Sequence, residues 1–298
     1  MGDYHVHLHP HGPYQGVGPE PGHYPDAHIE AYVEAAAANG ADEVGFTEHL
    51  YRCVEANDAL GPFWQREPNA DLAEQAESFV REERVLSLDR YVDAVVAAKD
   101  RGLPVLLGLE VDYFPATIDA VLELLAPYPW DFLIGSVHWV GAWAVDHPDV
   151  AYEFERRGVR RSYEDYFSIE EQLAASGAVD VLAHVDVVKK QGHHLPEPPT
   201  DLYAKVVAAA AASGTAVEIS TAGLHQSAAE IYPRHEFLKM FFDAGVPITL
   251  ASDAHYPEEA GRDRNHAVQA ARAAGYEERL RFRRRVANSV PLEALEDA

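Results

Sequence analysis

Short apolar runs rich in β-branched residues recur along the chain, and each is followed by an Ala-rich stretch whose apolar positions keep helical spacing. The runs that predict strands are residues 3–6, 43–47, 104–111, 131–137, 179–183, 216–219 and 247–251. Helices are predicted between them over 28–38, 91–100, 163–175, 202–212 and 237–244, running into Gly40, Gly102, Gly177, Gly214 and Gly245. About seven βα units follow from this alternation, which is the pattern of an α/β fold with a parallel sheet.

The segment 50–87 is longer than an ordinary βα loop and carries a helical stretch over 72–85. It reads as an insertion placed to fold over one end of the sheet. No internal repeat or Pro/Ser-rich linker divides the chain, and the Pro-rich stretches 20–25 and 196–199 lie inside the alternation. Residues 1–298 are therefore expected to form a single domain with an inserted loop and helix at about 50–87.

Composition narrows the class. The first strand-like run leaves no room for a secretory leader, and the longest apolar stretch, 206–212, is too short to cross a membrane. The expectation is a cytoplasmic protein with no membrane partner. Cys53 has no second cysteine to pair with and reads as an ordinary buried or loop thiol. A formal charge of −25 disfavours nucleic acid, whose phosphates are bound by surplus Lys and Arg, and favours a small substrate. The unusual count is 16 histidines, which directs attention to where they fall, because imidazole is the commonest neutral metal ligand.

They fall at strand ends. The carboxyl ends of parallel strands converge on one face, and the polar residues there are His5 and His7, Glu48 and His49, Glu110 and Asp112, His138, His184 and Asp186, Ser220 and Thr221, and Asp253 and His255. His5-x-His7 puts two imidazoles on one side of a strand, since side chains alternate with period two. Such a pair alone is weak, but Asp253-x-His255 repeats it at the last strand, with further His and Glu between. The donors are nitrogen and oxygen without thiolate, which suits Zn, Mn or Fe and excludes a Cys-type structural zinc site.

The ordered strings HVH, TEH, GLEVDY, GSVH, AHVD and SDAH resemble the PHP superfamily, named for polymerase and histidinol phosphatase. FLIGSVHWVGAW, DHPD, AHVDVVKKQGHHLPE, STAGL, IYP and SDAHYPEEAG look like its histidinol-phosphate phosphatase branch, with coverage from residue 3 to about 262. The resemblance implies a distorted (β/α)7 barrel with three divalent metal ions and hydrolysis of a small phosphorylated substrate, L-histidinol phosphate. It implies His5, His7, Glu110 and Asp253 on the first ion, Glu110, His138 and His184 on the second, and His49 and His255 on the third with His11. His9 and His23 are the alternatives to His11, and His28 reads as a helix-face residue. A phosphatase acting on another small ester is the rival reading, and a nuclease a more distant one.

The substrate calls for cations at its phosphate and an acid for its ammonium and imidazole. Lys189, Lys190, Arg161, Arg262 and Arg264 are the cationic candidates, and the 146–149 turn a candidate for further contacts. Asp186 and His225 are the candidate acids for the leaving oxygen, and Tyr113, Trp139 and Trp143 candidate pocket walls. The chain departs from the branch at His225, where relatives carry Arg after Ala-Gly-Leu, and Arg262 is expected to replace that cation.

Overall fold

The computed structural model of the chain describes residues 2–9 and 18–292; His11 lies outside them. Parallel strands alternate with helices, as the sequence pattern requires. β1 (Gly2–Val6), β2 (Glu43–Phe46) and β3 (Val105–Leu107) form one parallel sheet. β4 (Glu110–Asp112), β5 (Ile134–Ser136), β8 (Val181–Leu182), β9 (Ala216–Ser220) and β10 (Ile248–Ala251) form a second, in the order β10-β9-β8-β5-β4. Single parallel bridges join the sheets at both seams, Val6 with Ala254 and His49 with Glu110.

The run expected as one strand over 104–111 is broken at Gly108 and Leu109, so that its first half pairs with β2 and its second with β5. Packing explains the break. A Cβ on Gly108 would stand 2.6 Å from Cζ of Phe132 and 2.9 Å from the Phe46 carbonyl, and one on Gly45 would stand 2.5 Å from the same ring. The two glycines make room for Phe132 on the enclosed side of the strands.

The long helices are α1 (Asp26–Ala38), α3 (Ala70–Glu83), α4 (Leu88–Asp100), α7 (Val159–Ser176), α8 (Thr200–Ser213), α9 (His235–Asp243) and α10 (Arg264–Ala274), with shorter α2 (Asn57–Leu60), α5 (Ile118–Leu125) and α6 (Glu153–Arg157). Each long helix keeps a buried stripe against its neighbours, for example Leu202, Tyr203, Val206, Val207 and Ala210 in α8. None is long and apolar enough to cross a membrane. The 50–87 insertion packs beside the strand ends through Tyr51, Phe63 and Phe79, whose rings contact Trp139 at centroid distances of 5.0, 5.3 and 6.5 Å. Cys53 is buried there, as expected of a structural thiol.

Two hairpins were not foreseen. β6 (Trp139–Val140) and β7 (Trp143–Ala144) make a small antiparallel pair after β5. β11 (Glu278–Arg283) and β12 (Val286–Pro291) make a longer one that covers the amino ends of the strands. Phe282 of this hairpin joins a second apolar cluster with Tyr4, Leu106, Phe132, Ile134, Val181, Ala183 and Ala216. Around it, arginines meet acids: Arg281 and Arg283 donate to Glu43, and the backbone amides of Arg284 and Arg285 reach Asp131. Sealing the amino ends in this way leaves the carboxyl ends as the open face.

Candidate functional site

The eight histidines and carboxylates expected as metal ligands, His11 aside, converge on one point. Glu110, the first residue of β4, is fully buried at the centre. Its Oε1 lies 3.1 Å from His184 Nε2 and 3.5 Å from His138 Nε2. Its Oε2 lies 2.7 Å from His49 Nδ1, 3.3 Å from His5 Nε2 and 3.5 Å from His7 Nε2. Asp253 Oδ1 approaches His5 and His7 at 3.5 and 3.3 Å, and His255 stacks on His7 with centroids 4.5 Å apart.

Backbone placement explains the convergence. The bridge between His49 and Glu110 brings the ends of β2 and β4 together, and the His7 amide donates to the Ala254 carbonyl at 2.8 Å, joining β1 to the end of β10. Asp253 has φ of 55°, the left-handed region that an L-residue occupies only when surrounding structure holds it there. The holding contacts are on its neighbours. Asp3 accepts the Ser252 amide at 2.9 Å and the Gly261 amide at 2.7 Å.

The electrostatics suit cations. Burial opposes ionisation of Glu110, but the surrounding His49, His5 and His138 outweigh it and hold the carboxyl well below its usual range. Burial pushes His49 down to about 3 and His255 well below the ordinary imidazole value, with neighbouring His7 adding to both effects. Burial thus keeps His49 and His255 neutral, as metal ligands must be, whereas against the same burial Glu218 and Asp253 raise His5 well above the ordinary imidazole value and Glu110 raises His138 to about 9.

The donor spacing tests the fit directly. His5 Nε2 and His7 Nε2 face one another at 3.1 Å. Donors bound at about 2.1 Å around a tetrahedral ion stand about 3.4 Å apart, and the contacts here of 3.1–3.5 Å match that edge. Four overlapping groups bring their donor atoms within 4.8 Å of one another: His7, His49 and His255; His5, His7 and Glu110; His5, His184 and Asp253; and His49, Glu110 and His138. The residues fit divalent ions, more than one of them.

Two outer carboxylates orient the rings. Asp112 Oδ1 lies 2.8 Å from His138 Nδ1, and its Oδ2 accepts the Tyr51 amide at 3.1 Å, so His138 presents Nε2 to the centre. Glu218 lies 3.0 Å from His5 Nδ1 and also accepts the His184 amide at 2.7 Å. The strand-end pattern includes Asp112 without a role and does not reach Glu218. The available signal was a glutamate inside the buried strand AVEIS.

A cleft opens onto the cluster, with His138, His184, Asp253 and His255 on its wall beside Asp146, Lys190, Gln226 and Tyr232. Lys190 Nζ donates to Asp146 Oδ2 at 2.8 Å. The other predicted substrate and acid residues are not brought to it. Lys189, one position earlier, is buried against Asp186, Glu230 and the Ile231 carbonyl at 2.9, 3.1 and 2.8 Å. Asp186 engages Lys189 and the Arg234 amide, at 2.9 and 3.0 Å, through Oδ2, while its Oδ1 is buried without a hydrogen-bond partner. His225 is half-exposed and pairs with Asp263 at 2.6 Å. Arg161 sits on the exposed face of α7 with Asp165, and Arg262 bonds Glu259 at 3.1 Å, whose other oxygen accepts the His255 amide. Arg262 is thus tied to the loop behind His255. Arg264 begins α10 beneath Gly40.

Of the aromatic candidates, Trp139 contacts the His138 ring edge-on at 5.8 Å. Trp143 is buried against Phe154 and Arg157, away from the cluster. His9 is buried beside Tyr24, 4.8 Å between centroids, and stands in none of the four donor groups; His23 is exposed, and His28 Nε2 bonds the Leu8 carbonyl at 2.7 Å.

Nitrogen and oxygen donors gathered at the carboxyl ends of parallel strands, with a cleft against them, define a catalytic metal centre more than a structural one. The chain matches the PHP domain family over residues 23–222 and belongs to that family. A curated protein of Deinococcus radiodurans described as a probable histidinol-phosphatase is 34% identical over 244 residues, covering 82% of this chain and 86% of that protein. One of Schizosaccharomyces pombe with the same description is 24% identical, covering 78% and 76%. In structure, the chain is similar to the histidinol phosphate phosphatase of Lactococcus lactis crystallised with zinc, L-histidinol and phosphate, with a TM-score of 0.69 at 19% identity, covering 96% of this chain and 98% of that one.

Proposed function

We propose that the protein is a metal-dependent phosphoric monoester hydrolase that converts L-histidinol phosphate to L-histidinol and phosphate. The observation that carries the reading is the convergence of six imidazoles and the Asp253 carboxylate on Glu110 at the floor of a cleft, in a chain 34% identical to a protein described as a probable histidinol-phosphatase. We read the two bridged sheets as the distorted (β/α)7 barrel of the family, formed by one domain, and the donor set as holding three divalent ions, of zinc, manganese or iron. Under this reading His5, His7, Glu110 and Asp253 hold the first ion, Glu110, His138 and His184 the second, and His49, His255 and His11 the third.

When bound, such ions lower the pKa of water and offset charge on phosphoryl oxygens. The chain's own groups do the rest. Lys190 presents the only ammonium on the described wall of the cleft and is placed to hold the phosphate, while Asp146 beside it supplies an anion for the ammonium or imidazole of the substrate. Glu110 keeps the imidazoles gathered, and Asp112 and Glu218 keep their rings turned inward. The described wall carries no Ser or Cys, which favours direct attack by water over a covalent intermediate on either.

Phosphate release should be measured for L-histidinol phosphate beside other small phosphate esters and single-stranded DNA. Preference for histidinol phosphate by tenfold or more in kcat/KM supports the reading. Faster turnover of another ester would move the substrate, and degradation of DNA would replace the reading with the nuclease one.

A further inference from the structure

The strand β9 carries a charge where a buried strand has no ordinary use for one. Ala216, Glu218 and Ser220 share one side of β9, because residues two apart face the same way. Ala216 belongs to the apolar cluster sealed by Phe282, so Glu218 stands one step above that cluster and one step below the donor ring. It is fully buried. A carboxylate in such a place is costly unless its oxygens are engaged, and both are: Oε2 lies 3.0 Å and Oε1 3.2 Å from His5 Nδ1, and Oε1 also accepts the His184 main-chain amide at 2.7 Å.

These contacts reach two residues with different chemistry. At His5 the carboxylate can only accept, so Nδ1 carries the hydrogen and the lone pair of the neutral ring is left on Nε2. Nε2 is the atom that lies 3.3 Å from Glu110 and 3.5 Å from Asp253. At His184 the carboxylate fixes the backbone at the end of β8, from which the ring reaches 3.1 Å from Glu110 Oε1. His5, His184 and Asp253 form one of the four groups able to hold an ion.

We propose that Glu218 is a positioning residue that sets the tautomer of His5 and the backbone of His184 at the same time, coupling through one carboxylate two ligands that come from strands far apart in sequence and serve adjoining ions. The proposal rests on the metal-centre reading but not on the identity of the substrate. A carboxylate that orients a ligand imidazole is commonly worth 10–100-fold in metal affinity. Gln at this position keeps an oxygen for one partner and turns an N–H group toward the other. It cannot serve His5 and His184 together as the carboxylate does.

The experiment is ion binding by stripped full-length protein, wild type and Glu218→Gln, titrated with Zn²⁺ against a chromogenic chelator. Secondary structure is followed by circular dichroism. The expected result is a 10–100-fold loss of affinity at one ion position with the fold retained, and loss of one Nδ1-protonated imidazole signal in ¹⁵N-histidine spectra of the zinc-loaded protein. In a His5→Ala background the same change should cost less, since its main route of action is gone. Wild-type affinity and an unchanged imidazole spectrum in Glu218→Gln would overturn the proposal. If Glu218→Gln does not fold, Glu218→Asp is read instead: its shorter arm withdraws the carboxylate from Nδ1, so reduced affinity supports the proposal and wild-type affinity overturns it. Absence of turnover on histidinol phosphate would leave this result standing and strike only the substrate assignment.

Discussion

Replacing Lys190 by Met removes the cleft's ammonium while keeping the length of the side chain. Its partner Asp146 is 2.8 Å away, and the two side chains are 13% and 21% exposed, so screening by solvent is partial. Burial raises the Asp146 carboxyl, but Lys190 and then His138 outweigh it and hold it well below the ordinary carboxylate range. Without Lys190 the largest cause holding it down is lost and burial raises it, so the repulsion comes from the fraction of Asp146 that stays ionised. Loss of a charge-assisted hydrogen bond to phosphate costs about 1.5–3 kcal/mol. An uncompensated carboxylate about 6 Å from a phosphoryl oxygen adds roughly 3 kcal/mol per unit charge at an effective dielectric of about 20. The lost hydrogen bond alone predicts a fall in kcat/KM of about 10–100-fold, at about 1.4 kcal/mol per decade, and the repulsion adds to it.

Inhibition by inorganic phosphate isolates the phosphate end, since orthophosphate has no ammonium for Asp146 to attract. Lys190→Met should raise the inhibition constant by a similar factor, and adding Asp146→Asn should recover part of the loss by removing the repulsive anion. Metal content should not change. An inhibition constant within about twofold of wild type in Lys190→Met would refute the assignment of Lys190, and no recovery in the double variant would refute the electrostatic part of the estimate.

The remaining predictions concern the frame. Lys189→Met should destabilise the fold by about 3–5 kcal/mol in denaturant titrations, because it strands the buried Asp186, while KM stays near wild type. Phe282→Ala empties the seal beneath Tyr4 and Phe132 and should cost about 3–5 kcal/mol with the ion count unchanged by elemental analysis. At Glu43, burial opposes ionisation, but hydrogen bonds from Arg281, Tyr4 and Arg283 outweigh it and hold the pKa down to about 2. A depressed carboxylate contributes stability that is present above its unfolded value and lost as pH falls through the folded one. Unfolding free energy should therefore decline between about pH 4.5 and pH 2, and Glu43→Gln should flatten that decline.

Much of the site was legible because parallel strands deliver their last residues to one face. His5, His7, His49, Glu110, His138, His184, Asp253 and His255 could be read from strand ends without knowing how the sheets join. The groups that the pattern could not sort are those whose direction depends on a turn or a tertiary partner. Lys189 and Lys190 are neighbours at the end of the short 3₁₀ turn after His184, and only packing decides that the first is buried with Asp186 while the second reaches the cleft. Asp186 follows His184 at the spacing that joins His5 to His7, yet it is turned to the Arg234 amide. Glu218 was hidden because it lies inside its strand instead of at the end.

The break at Gly108 and the closing hairpin were illegible for a different reason. Gly108 is explained by the Phe132 ring, which is distant in sequence, and the hairpin is so rich in arginine that its alternation resembles a solvated segment. Its charges are answered by Glu43, Asp131 and Asp180, acids brought to the amino ends of three other strand regions.

The central claim is that this cluster binds metal and hydrolyses histidinol phosphate. Steady-state phosphate release from L-histidinol phosphate tests it most directly, with stripped protein, protein reloaded with Zn²⁺ or Mn²⁺, and the His5→Ala and Asp253→Ala variants side by side. The account predicts kcat/KM above about 10⁴ M⁻¹s⁻¹ for the reloaded wild type, and its loss in the stripped protein and in both variants. Turnover that survives stripping, or that is unaffected in both variants, would contradict it.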